Sequence, residues 1–132
     1  MGLAVFTAQG CSHAAEKWMG DWEGTANRTS PGTPDDEISH AINTIKLSIH
    51  PNRTFDLVDA GIAKSGDATL GGDTAFLKIK RILDRPVSSL GSGAVKMNQG
   101  IDLKMQSDGS ILMTDPWGFD KGPIVLHRSP QP

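Results

Sequence analysis

Thr44-Ile45-Lys46-Leu47-Ser48-Ile49-His50-Pro51-Asn52-Arg53-Thr54-Phe55-Asp56-Leu57 is the stretch on which the fold turns. Ile45, Leu47 and Ile49 alternate with Lys46, Ser48 and His50, the period of a strand with one buried face. Pro51-Asn52-Arg53 supplies turn chemistry, and Phe55 and Leu57 resume the apolar face. The same design returns as Leu103-x-Met105, then Asp108-x-Ser110-Ile111-x-Met113. There Ser107-Asp108-Gly109 makes the turn, and Asp-Gly between alternating runs is a strong hairpin signal. Leu77 and Ile79 alternate with Lys78 and Lys80, and Ile124 and Leu126 with Val125 and His127.

Working outward, the pattern predicts strands at 18–26, 41–50, 53–59, 62–70, 74–83, 95–106, 109–115 and 122–128. Helical periodicity is weak, and the best candidate is one or two turns over Asp35–Ile42, where Asp35, Asp36 and Glu37 suit a helix N-terminus. Residues 27–39 and 85–92 read as loops. Consecutive strands with one apolar face each must bury that face. Closure into a single antiparallel up-and-down β-barrel does so and removes the sheet edges. The expected fold is therefore all-β, with about eight strands around a lumen that holds packed side chains or one small ligand. Ile45, Leu47, Ile49, Phe55, Leu57, Leu77, Ile79, Leu103, Met105, Ile111, Met113, Ile124 and Leu126 are expected to face that lumen. Lys46, Ser48, Asp56, Lys78, Asp102 and Lys104 are expected to face water. An interior so lined has one aromatic and no ionisable group, which argues against catalysis inside it.

Composition narrows the function classes. The chain has 132 residues, 37% of them hydrophobic and 21% charged, enough to bury one core without a metal or a disulfide. The net charge is −2, so no cationic surplus exists to neutralise a nucleic-acid backbone. A single cysteine excludes a disulfide framework and a cysteine-rich zinc site. No run of about 20 apolar residues is present to span a membrane. His13, His40, His50 and His127 have no metal-ligand spacing. Asp35, Asp36, Glu37 and His40 form an acidic loop rather than a calcium loop. No nucleophile elbow or phosphate loop occurs, and Asp56 and Asp59 are an unremarkable acid pair. No cofactor is expected.

The first ten residues, MGLAVFTAQG, are uncharged and end in small residues before Cys11. Ala8-Gln9-Gly10-Cys11 resembles the cleavage and lipidation site of a bacterial lipoprotein signal whose start lies upstream. Residues 1–15 are accordingly read as signal remnant and tether, Cys11 as the acylation site, and 16–132 as the barrel domain. The first strand holds Trp18-Met19-Gly20-Asp21-Trp22, and the last ends in Arg128. Gly20-x-Trp22 with Arg128 resembles the ends of lipocalin-like (calycin-type) barrels of envelope lipoproteins. That resemblance implies that Trp22 closes the base with Arg128 across it. It also implies a cell-envelope protein without enzymatic activity, tethered to the membrane only through Cys11, which binds an apolar small molecule or a protein partner. Phe55, Met105 and Met113 in the lumen, with Trp117 and Phe119 in the final connection, are the expected contacts. A structural or protease- or lysozyme-inhibitor-like module with a filled core is the alternative, and a barrel enzyme of the cyclase or isomerase kind a further one. The chain has no tyrosine, so the lipocalin Thr-Asp-x-x-Tyr element is missing.

Overall fold

The computed structural model describes residues 15–26, 37–98, 100–116 and 122–129. In chain order it forms β1 (Gly20–Thr25), α1 (Glu37–Asn43), β2 (Thr44–Ile49), β3 (Thr54–Asp59), β4 (Ile62–Leu70), β5 (Thr74–Ile82) and β6 (Arg85–Pro86). A 3-10 turn (Val87–Leu90), α2 (Ser92–Met97), β7 (Gly100–Met105), β8 (Ile111–Thr114) and β9 (Ile124–Arg128) follow. All strand pairs are antiparallel. The ring runs β1-β2-β3-β4-β5-β7-β8-β9 and returns to β1, with the two-residue β6 beside the end of β5. It is a closed eight-stranded up-and-down barrel.

The alternation read from sequence is the alternation in space. Every residue expected in the lumen is buried or half-buried, and Lys46, Asp56, Lys78, Asp102 and Lys104 are exposed on the other face. Ser48, the remaining outer-face position, is half-buried. Burying each Leu, Ile or Phe of this set contributes roughly 1.5–3 kcal/mol, and a slip of one residue would forfeit it along a whole strand. Closure is narrow. β1 and β9 meet over Trp22↔Arg128, Glu23↔His127 and Gly24↔Leu126. Gly24 makes the approach possible, because a Cβ there would lie 2.5 Å from Leu126 Cδ2. On the far side, Gly66 sits at a bulge in β4 against β5.

Four segments depart from the expectation, the first being residues 41–43, included in the strand 41–50 but belonging to α1. Residues 95–97, read as the start of a strand, belong to α2. The stretch 85–92, read as a loop, holds β6 and the 3-10 turn. Together they form the crossover from β5 to β7. Trp18, placed in the first strand, lies in a tight turn before it, where its N–H donates to Ala15 O (3.0 Å).

The two hairpins that resemble each other in sequence match bond for bond. The Thr54 N–H and hydroxyl donate to Asn52 Oδ1 at 3.2 and 2.6 Å. The Ser110 N–H and hydroxyl donate to Asp108 Oδ1 at 3.0 and 2.6 Å. Arg53 N–H to His50 O (2.9 Å) corresponds to Gly109 N–H to Gln106 O (3.0 Å). Arg53 and Gly109 both take positive φ, 65° and 88°, which suits glycine and strains arginine. One difference is chemical. The bonds from Ser110, hydroxyl first and then N–H, hold the Asp108 carboxyl below its ordinary range, whereas Asn52 does not titrate. The folded pKa of Asp108 thus lies below the unfolded one. Its contribution is complete above about pH 4 and is lost as pH falls through the folded value. Asp108→Asn keeps the acceptor, so it is expected to lessen the loss of stability in acid. Urea unfolding of both proteins through the acid range checks this, and identical acid slopes would contradict it.

Candidate functional site

The chain that becomes β1 first crosses one end of the barrel and plugs it. Trp18 is fully buried and its indole N–H donates to Gly71 O (2.8 Å), tying the turn to the β4–β5 connection. Trp22, the next inward position along, donates its indole N–H to Trp18 O (2.9 Å). Arg128 lies across Trp22 with its guanidinium carbon 4.4 Å from the ring centroid. Its Nη1 donates to Met19 O and its Nη2 to Lys17 O, both at 2.8 Å. Gly20 is required where the chain enters. Its φ is +112°, and a Cβ would stand 2.9 Å from Arg128 Nη1. Cation, ring and carbonyls thus bind three elements at one point, an arrangement that holds structure and offers no reacting group.

Above this base the inward side chains pack against one another along the lumen. Phe55 and Met113 are buried, Met105 half-buried, and all three pack into one cluster with Trp18, Trp22 and the inward aliphatics. They therefore serve packing in the lower and middle barrel. Cys11, Trp117, Phe119, Asp35 and Asp36 lie outside the described residues.

The opposite end differs from the expectation of an interior without ionisable groups. Asp59 continues the inward parity of Phe55 and Leu57 and is only 2% exposed. Lys64, paired with inward Leu57, is half-buried at the same rim. The parity of β3 was enough to find Asp59 in the sequence. Lys64 was hidden, because Ile62-Ala63-Lys64-Ser65-Gly66 has no alternation and the bulge between Ser65 and Gly66 resets the register to β5.

The rim also gathers apolar side chains that face water. α1 is inverted: Ser39 is its buried residue, while Ile38 is 71% exposed and Ile42 stands one turn on. Leu83, at the tip of the β5–β6 turn, is 60% exposed and has φ 51°, a strained setting for leucine. Val58 and Val95 are exposed on the adjoining walls.

The outer wall carries polar pairs among the described residues. Ser48 donates its hydroxyl to Asp21 Oδ1 (2.7 Å), and His50 Nε2 meets Asp56 Oδ2 (2.7 Å). The serine is thus bonded to a carboxylate instead of to the histidine that would activate it. Among the described residues no three His, Cys, Asp or Glu side chains gather as a metal site. No described helix is long and apolar enough to cross a membrane. Known protein families, curated proteins and solved structures were compared with the chain, and none matches it.

Proposed function

We propose that this chain is a non-enzymatic, lipocalin-like module of the bacterial cell envelope that binds a protein partner through the rim of its barrel opposite the base. The observation that carries this reading is the division of the molecule into two ends. One is plugged by Trp18, Trp22 and Arg128. The other presents Ile38, Ile42 and Leu83 to water. Exposed apolar side chains grouped at one end of a small domain mark an interaction surface more often than an accident. The cluster that Phe55, Met105 and Met113 form with the inward aliphatics favours this over an apolar ligand swallowed by the barrel. It is equally the core expected of an inhibitor-like module, which also acts by its rim.

The lipoprotein resemblance at Cys11 gives this reading an orientation. Ala15 is already buried in the base. An acylated Cys11 would therefore reach the barrel through residues 12–14 alone, at most about 11 Å of extended chain. The base would face the membrane and the rim would face away from it. Mass spectrometry of the native protein should show a lipid on Cys11.

A photo-crosslinking residue placed at Ile38 or Leu83 in the native cell should yield a discrete adduct. The same residue at Ser107, on the exposed hairpin tip of the base, should yield none. Adducts at Ser107 alone, or at none of the three, would contradict the proposal.

A further inference from the structure

The crossover from β5 to β7 builds a second feature, on the outer wall and independent of the rim. The 3-10 turn packs beside β5 with Val87 in the core, and with α2 it borders an open groove of about 510 Å³. Its lining is Lys78, Ile79 and Lys80 from β5, Val87 and Ser88 from the turn, and Val95 and Asn98 from α2 and its end. The volume lies within the range of small-molecule sites.

The segment that contains the groove is richer in cations than the chain as a whole. Residues 64–96 carry six of the thirteen Lys and Arg and only three of the fifteen Asp and Glu, on a chain of net charge −2. The three acids do little to cancel the groove. Asp73 lies at the base, 4.0 Å from Lys17. Asp67 is the residue directly opposite Lys78, yet its carboxylate binds Lys80 (2.6 Å). Asp84 sits on the β5–β6 turn, where Arg81 donates to its carbonyl. Lys78 is left with no ion pair among the described residues, at the edge of a groove whose other wall offers Val87, Val95 and the Ser88 hydroxyl. Val95 is 39% exposed although it faces this groove, so apolar surface there is uncovered.

We propose that this groove binds an amphipathic anion, a carboxylate or phosphate head on an alkyl tail. The head meets the Lys78 ammonium, a charge-assisted contact. The tail lies along Val95 and the alkyl stems of Lys78 and Lys80, where it takes apolar surface out of water. The geometry favours this class over a bare anion, which would leave Val95 exposed. It favours it over a neutral alkyl chain too, which would bury an uncompensated lysine.

The test is calorimetric titration of the full chain with dodecanoate, and in parallel with dodecyl phosphate, each below its micelle concentration. Saturable one-to-one binding of either is expected, and the tighter of the two identifies the head group. Lys78→Gln should weaken it about tenfold, the loss of one charge-assisted bond. Val95→Asp should weaken it at least as much. Lys104→Gln, a cation on the wall of β7, should leave it unchanged. All three positions are exposed, and thermal unfolding of the variants separates loss of binding from loss of fold. Absence of saturable binding overturns the proposal. So does binding that Lys78→Gln and Val95→Asp leave intact, that Lys104→Gln weakens as much as Lys78→Gln, or that dodecyltrimethylammonium shows equally. None of these results bears on crosslinking at Ile38 and Leu83, so the rim reading stands or falls separately.

Discussion

Gly66→Ala is expected to destabilise the barrel by about 3 kcal/mol, the upper end of ordinary overpacking. The added methyl would stand 1.9 Å from Lys78 O and 3.0 Å from Lys80 N. Both are backbone atoms of β5 and cannot swing aside as a flexible side chain could. Relief requires β4 and β5 to part where the bulge lets β4 turn, and the closed ring gives neither strand a free edge to move into. Gly72→Ala is the matched control. It lies in the neighbouring turn, and nothing stands within 4 Å of its added methyl. Its effect should stay within about 0.5 kcal/mol. Denaturant unfolding of the two variants measures the difference, and equal stabilities would contradict the close packing of β4 on β5.

Much of this fold was legible because its signal is local. Ile45-x-Leu47-x-Ile49 and Leu103-x-Met105 state their own buried face, and Asn52 and Asp108 state their own turns. Eight strands with short connections then leave few topologies. What was not legible depends on neighbours. Val95-Lys96-Met97 has the apolar–polar alternation of a strand. It folds as α2 because β7 begins only at Gly100, where Phe76 from β5 covers the bare glycine: a Cβ on Gly100 would lie 2.1 Å from its ring. The inversion of α1 has a similar cause. Seven residues are too few to fix a buried face by periodicity, and docking on the barrel decides that Ser39 turns in and Ile38 out. The base could be anticipated from Gly20, Trp22 and Arg128 as a resemblance, but nothing local in Trp18 says that its ring is the plug. The site followed the same rule. Asp59 was readable from strand parity, whereas the rim and the groove arise from elements that meet only in the fold.

Trp22→Ala is expected to have the largest effect of any single change considered, a loss of about 3–5 kcal/mol. The ring is fully buried, and its removal leaves a cavity between the β1–β9 seam and the plug. It also removes the indole donor that holds the Trp18 carbonyl and the platform beneath Arg128. For a domain of this size such a loss approaches the whole stability, so part of the population should be unfolded before denaturant is added. Retention of near-wild-type stability would show that the ring is not a structural member. Arg128→Gln should cost less, since a half-solvated cation loses two hydrogen bonds that water can replace in part.

The most direct test of a barrel closed and sealed at this base is the coupling between the two residues. Trp22→Leu keeps an apolar side chain in the core and removes the aromatic face, and Arg128→Gln keeps a hydrogen-bonding side chain and removes the cation. The unfolding free energies of wild type, both single variants and the double variant close the cycle. A guanidinium 4.4 Å over the ring predicts a coupling of about 0.5–2 kcal/mol. Additivity within about 0.3 kcal/mol would mean that the first and last strands do not meet in this way, and the account of a base plugged by Trp18, Trp22 and Arg128 would fall with it.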